Sequence, residues 1–261
     1  MAEKKYTPMM QHYLKMKEEN PDSILFYRLG DFYEMFFEDA KLVSQELDLV
    51  LTGRSAGVEE KVPMCGIPFH AANSYIQRLV KKGYKVAICE QLEDPSSAKG
   101  LVDRGIIKII TPGTYMDATM DAKSTNYMAS CDVSSFEITV IYCELSTGEL
   151  KYQTLQRSLV ALQKALLEQN VSELVCPMTM DKKWMAALEE MDTMLISKHK
   201  KANIDPEDLP LLNGIESESL KEAFALLMAY LKDTQKQRID HFLPIESMDK
   251  DKVLVMDYET K

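Results

Sequence analysis

The stretch GDFYEMFFEDA, residues 30–40, sets an aromatic ring at Phe32 and a carboxylate at Glu34, two positions apart. Two readings of that pair are open. In the first, Asp31 caps a helix and Glu34, three residues on, completes a capping box, with the cap worth about 1 kcal/mol. Phe32 then occupies the first helical position, four residues before Phe36, and extends an apolar helix face. In the second, both side chains point outward beside an exposed turn and touch a partner, because loops at strand ends carry function disproportionately. Residue types alone favour the first.

The other residues able to do chemistry are scattered. Asp132, Glu137, Glu144 and Glu149 are acids around a predicted hairpin, and converging carboxylates can hold two metal ions, as in a ribonuclease-H-like nuclease. At the edges of extended segments, however, charged residues normally lie in solvent, and that reading suits these positions better. His12, His70, His199 and His241 are too far apart for ligand-like spacing. G-x-x-x-x-G-K-[ST], H-E-x-x-H and G-x-S-x-G do not occur, and no G-x-G-x-x-G follows a strand. Five cysteines form an odd set without a C-x-x-C pair, which suits reduced thiols in a cytoplasm. Cys131 and Cys143 read as small buried hydrophobes.

These residues must be positioned by recognisable elements. Thr7 and Pro8 open a helix predicted to run to about residue 19. ILFYRL (24–29) is a buried strand, followed by a helix in which Phe36, Ala40, Val43 and Leu47 share one face. KVPMCGIPF is extended, 71–82 is helical, and YKVAIC and GIIKIITPG are strands around the polar loop EDPSSAKGLVDR. The result is a small mixed α/β domain over 1–115. Residues 116–128 lack periodicity and read as a linker. Beyond it FEITVIYCEL, the turn STGE and LKYQTL make a hairpin, and strands then alternate with helices at about 158–169, 182–191 and 217–235. A second α/β domain over 129–245 is expected, with 246–261 beginning a further one.

Charge separates the two parts. The chain carries −10 overall, but residues 1–116 hold 15 Lys+Arg against 16 Asp+Glu, and residues 117–261 hold 16 against 25. The first part can meet a polyanion, while the second would repel one. The apolar runs are too short to span a bilayer, and MAEKKYTPMM lacks the apolar segment of a secretory signal.

Taken together, TPMMQHYLKMKEENPDSILFYRLGDFYEMFFEDA, VPMCGIPFHA, VAICEQLEDP, AKGLVDRGIIKIITPGT and YLKDTQ resemble the amino-terminal half of the bacterial MutS family of DNA mismatch-recognition proteins. The resemblance spans essentially all 261 residues and is densest over 7–114. It implies a mismatch-binding domain, then a ribonuclease-H-like connector domain without catalysis, then the start of a core domain. The family's Phe-x-Glu motif falls on Phe32 and Glu34. By resemblance, Phe32 is a wedge inserted from the minor groove and stacked on a mispaired base, and Glu34 hydrogen-bonds that base. Such a wedge costs less where pairing is already weakened, so deformability is read and base sequence is not. Two roles for Glu34 stay open: accepting from a base N–H, or donating as a neutral acid if its pKa is raised. Arg54, Met64, Lys99, Arg104 and Lys108 are candidate contacts to the DNA backbone. The resemblance also implies that ATP and Mg belong to an ATPase domain outside this chain, so no cofactor, metal or enzyme activity is expected within it. Partners implied are mismatched double-stranded DNA, MutL and, through regions outside the chain, a second copy; a cytoplasmic protein without membrane contact is expected. The rivals are the metal-dependent nuclease and a protein-interaction scaffold, the latter with Phe32 buried against Phe36.

Overall fold

The computed structural model describes residues 6–93, 102–116 and 126–248. Two compact units divide the chain: Met1–Asp117 with Asp233–Gln237, and Ala118–Lys232 with Arg238–Lys261.

In the first unit, α1 (Pro8–Glu19) starts with proline at a position where the missing N–H costs nothing. Strands β1 (Ser23–Leu29) and β2 (Phe32–Phe36), helix α2 (Phe37–Leu47), strands β3 (Thr52–Arg54) and β4 (Val62–Pro68), helix α3 (Ala72–Val80), and strands β5 (Lys85–Gln91) and β6 (Arg104–Ile110) follow. The sheet order is β3-β4-β2-β1-β5-β6, with β1 and β5 parallel and the other pairs antiparallel. Helices α2 and α3 cover one face through Ala40, Val43, Leu47, Ile76 and Leu79. On the other face, α1 lays Met10 and Tyr13 over Leu25, Tyr27 and Phe36. A buried carboxylate, Asp39, ties three elements together: it accepts from the Leu25 N–H at 2.9 Å, Lys17 Nζ at 2.9 Å and the Tyr13 hydroxyl at 3.4 Å.

The predicted helix start is corrected. Gly30 and Asp31 form a two-residue hairpin turn, with Leu29 opposite Phe32 and Tyr27 opposite Glu34. Asp31 therefore caps nothing, and Glu34 sits mid-strand rather than in a capping box. Pairing of β2 on both edges, to β1 and to β4, outweighs the local helical pattern. The helix begins only at Phe37, whose φ of 53° makes the strand-to-helix corner without a loop. From there the expected face of Ala40, Val43 and Leu47 is buried.

The second unit contains β7 (Tyr127–Val133), β8 (Glu137–Glu144), β9 (Glu149–Gln156), α4 (Leu159–Glu168), β10 (Glu173–Pro177), α5 (Lys182–Glu189), β11 (Leu195–His199), all but the last three residues of α6 (Glu218–Gln235) and β12 (Glu246–Ser247). Its sheet order is β11-β10-β7-β8-β9-β12, antiparallel through β7-β8-β9 and parallel elsewhere. Helix α6 seals one face with Leu220, Phe224, Leu227 and Leu231, and α4 and α5 seal the other. Each fully buried Leu or Phe contributes about 1.5–3 kcal/mol. Cys131 and Cys143 are buried, as expected of small hydrophobes. Two boundaries differ from expectation. Strand β7 begins at Tyr127, inside the predicted linker, and β12 pairs with β9, so residues 246 and 247 complete this sheet. Residues 249–261 of the predicted further domain lie outside the described residues.

Candidate functional site

Alternation along β2 puts Phe32, Glu34 and Phe36 on one face, and Tyr33 and Met35 on the other, in the core under α2 and α3. Cover falls away along the first face. Phe36 is 1% exposed, edge-on to Tyr13 with ring centroids 4.9 Å apart. Glu34 is half-buried, and Phe32, at the hairpin tip, is 48% exposed. Residues paired across strands share a face, so Phe32 is flanked by Leu29 and Pro68, and Glu34 by Tyr27 and Gly66.

Gly66 lies opposite Glu34. A Cβ at residue 66 would stand 3.5 Å from Glu34 Cγ and 3.3 Å from the Tyr33 carbonyl oxygen. The Glu34 side chain lies across β4 toward β3, where Arg54 Nη1 donates to Glu34 Oε2. The Arg54 guanidinium also lies 6.0 Å from the centre of the Phe36 ring, at the limit of a cation–π contact.

A second network stiffens the tip from behind. Arg28 Nε donates to the Gly30 carbonyl at 2.5 Å, and Arg28 Nη1 lies 3.1 Å from Glu90 Oε1. Tyr33 donates its hydroxyl to the same carboxylate, and burial, then Glu90, push its pKa up. The Arg28 guanidinium lies 3.6 Å from the centre of the exposed Phe69 ring, and the Phe69 backbone N–H donates to the Asp31 carbonyl at 2.9 Å. Sequence reading missed Arg28 and Phe69: Arg28 and Glu90 are 62 residues apart, and no local spacing signals their meeting.

The candidate backbone contacts divide. Met64 lies opposite Phe36 and Arg54 opposite Val62, on the face that carries Phe32 and Glu34. Arg54, however, is bound to Glu34 and is not a free cation. Arg104 is corrected: it is 7% exposed, donates to the Arg28 and Val102 carbonyls at 2.8 Å each, and sits over the Tyr27 ring. Those bonds hold it inside the fold and leave it unsuited to a phosphate. Lys108 is opposite Ile88 on the edge strand β6, so its side chain belongs to the sheet face away from Phe32, and burial lowers its pKa. Lys99 lies outside the described residues.

Residues 7–119 match the family described as MutS domain I. The chain is 43% identical to the DNA mismatch repair protein MutS of Bacillus licheniformis over 260 residues, 98% of its own length. It is 44% identical to the protein of the same name from Clostridium tetani over 248 residues and 41% identical to that from Bacillus subtilis over 257. The chain belongs to the MutS family. It spans about 29%, 28% and 30% of the length of those three relatives, respectively.

In this MutS-family chain the acids of the second unit point apart. Glu137 and Glu144 stand at opposite ends of β8, roughly 23 Å apart at about 3.3 Å per residue. Glu144 turns into the hairpin loop and accepts from the Ser146 hydroxyl at 2.7 Å and the Thr147 N–H at 2.8 Å. Burial raises its pKa, but the bonds from Thr147 and Ser146 lower it by more, and the net shift is downward. Glu149 faces Lys151 and the Tyr127 hydroxyl. Asp132, at the end of β7, opens on a cleft of about 240 Å³ with Arg157, Asp181, Trp184 and Lys201. There Lys201 Nζ lies 2.9 Å from Asp132 and 2.5 Å from Glu222, and Asp181 is taken up in capping α5. A lysine ammonium therefore sits where acids would have to gather around a cation. Among the described residues no three His, Cys, Asp or Glu side chains come together as a metal site, and no helix is long and apolar enough to cross a membrane.

Proposed function

We propose that this chain reads mispaired DNA in mismatch repair, with Phe32 as the wedge and Glu34 as the hydrogen-bonding partner of the displaced base. The observation that carries the reading is the open end of one sheet face: a half-exposed aromatic ring at a hairpin tip, with a carboxylate two residues on and facing the same way. A rigid mount suits a wedge, because unstacking a base step costs a few kcal/mol and a yielding tip would bend instead. The Arg28–Glu90–Tyr33 network supplies that stiffness. Selectivity follows from the duplex: a mispaired or unpaired base has already lost part of its stacking and pairing, so kinking there costs less.

The second unit, with its acidic balance, is proposed as the connector that passes the state of the first to an ATPase and to MutL, both outside this chain. The acid geometry does not favour the nuclease reading, since Asp132, Glu144 and Glu149 are each engaged with other partners and Glu137 stands at the far end of β8 from Glu144.

The test is fluorescence anisotropy on a duplex carrying one G·T mismatch or one unpaired T, against its matched twin, at low salt. A preference for the mispaired duplex that disappears in Phe32→Ala is the expected result. Binding without preference, or a preference that survives the substitution, rejects Phe32 as the reader.

A further inference from the structure

We infer that Arg54 acts through Glu34 and not on a phosphate: it is a positioning residue that presets the carboxylate and offsets its charge beside DNA. This rests on the mismatch-reading proposal and extends it to how an acid can work inside a polyanion's field.

A bare carboxylate brought among phosphates is repelled, so an acid at the tip of a DNA wedge is a liability unless its charge is balanced. Here the balance is built into the sheet. Glu34 on β2 and Arg54 on β3 are separated by β4, and Gly66 on β4 presents no side chain between them. Beside Glu34 a Cβ at residue 66 would make only ordinary contact with Cγ, at 3.5 Å, while crowding the Tyr33 carbonyl oxygen at 3.3 Å. The guanidinium is steadied against Phe36, which is itself fixed in the core under α1.

The carboxylate is used on one side only. Arg54 donates to Oε2, and no described residue donates to Oε1. Glu34 side-chain exposure is 16% and that of Arg54 is 37%, so the pair is sheltered but open to an approaching duplex. A carboxylate has acceptor capacity for both partners at once. The division of labour is direct: Oε2 stays with Arg54, and Oε1 is presented to the base N–H beside the Phe32 ring. Preorganisation of this kind removes the rotamer cost of ordering Glu34 at the moment of binding.

The decisive experiment is a double-mutant cycle on the whole chain, read as the ratio of G·T to matched affinity, with Arg54→Gln, Glu34→Gln and the pair combined. Coupled neighbours predict that Arg54→Gln lowers the ratio about 3- to 10-fold alone and has little further effect once Glu34 is Gln. Arg54→Lys, which keeps the charge but loses the planar fork, is expected to fall between the two. The salt dependence of matched-duplex binding should not change. The inference is overturned if Arg54→Gln weakens binding equally in both backgrounds and flattens the salt dependence by about one phosphate contact. Thermal melts of each variant separate these outcomes from misfolding, and an unfolded Arg54→Gln with a folded Arg54→Lys leaves the cycle to be read on the lysine variant. A native chain without mismatch preference, or one whose preference survives Phe32→Ala, removes the underlying proposal instead. A Phe32-dependent preference with an Arg54 effect indifferent to Glu34 removes this inference alone.

Discussion

Phe32 and Phe36 are chemically identical, lie on the same face of one strand, and differ only in cover. On the proposed reading, that difference separates function from stability. Truncating Phe36, which is 1% exposed and packed on Tyr13, is expected to cost about 3–5 kcal/mol, whereas Phe32→Ala should stay within about 0.5 kcal/mol of the native chain. Urea denaturation followed by far-ultraviolet circular dichroism checks both, and a large loss in Phe32→Ala would make its ring part of the core. Asp39 behaves in the opposite sense to Glu34: it is a buried acid with no surface role. Removing it strands the buried Leu25 N–H and takes one partner from the Tyr13 hydroxyl and the Lys17 ammonium, which keep the Phe36 and Ser23 carbonyls, so Asp39→Ala is expected to cost about 2 kcal/mol in the same assay. At this scale the sequence was a partial guide. Phe32 and Glu34 could be singled out by resemblance, but residue types alone favoured a capping box of Asp31 and Glu34. The ion pair of Glu34 with Arg54 could not be read, because it joins residues 20 apart across an intervening third strand.

Elements were legible where periodicity was strong and hidden where tertiary pairing took over. The faces of α2, α3, α4 and α6 follow apolar spacing directly. β2 does not, because the change from strand to helix is made at Phe37 with a positive φ and no glycine, asparagine or aspartate to announce it. β7 was missed for another reason: YMASCDV is buried on both faces in the middle of its sheet and contains small residues, so it shows no alternation. The β8–β9 hairpin was plain, and its turn gives two predictions. Gly148 has φ 75°, and a Cβ there would fall 2.1 Å from the His241 carbonyl oxygen, in the segment that bonds back through Leu243 N–H to Gly148. Gly148→Ala must displace that segment, and its melting temperature should drop by more than about 5 °C. Glu144, whose pKa lies below the ordinary 4.5 in the folded turn, stabilises the protein above that value, and its contribution is lost as pH falls through the folded one. Glu144→Gln should therefore be less stable than the native chain at pH 7, with the gap in urea midpoint closing below about pH 4.5. A gap that stayed constant to pH 3 would assign the loss to geometry and not to charge.

For the whole molecule, the alternation of strands and helices and the break in charge near residue 116 announced two α/β units, and each has its own hydrophobic clusters. What sequence counting could not give was which cations are free. Basic residues looked numerous in the first part, yet Arg54 is held by Glu34, Arg28 by Glu90, Arg104 by backbone carbonyls, and Lys108 faces away from Phe32. Around the Phe32 tip the described cations Arg28 and Arg54 are thus both engaged, and a contact made through that tip alone neutralises few phosphates. Because log K falls with log salt by about 0.9 for each phosphate neutralised, matched-duplex binding should show a slope shallower than about −3. On the proposed reading, weak binding with shallow salt dependence leaves most discrimination to Phe32 and Glu34: a large nonspecific term would mask the small energy difference between a matched and a mispaired step. Anisotropy between 50 and 200 mM salt measures the slope, and a value near −6 would mean that a broad cationic surface, and not the tip of one hairpin, dominates the contact.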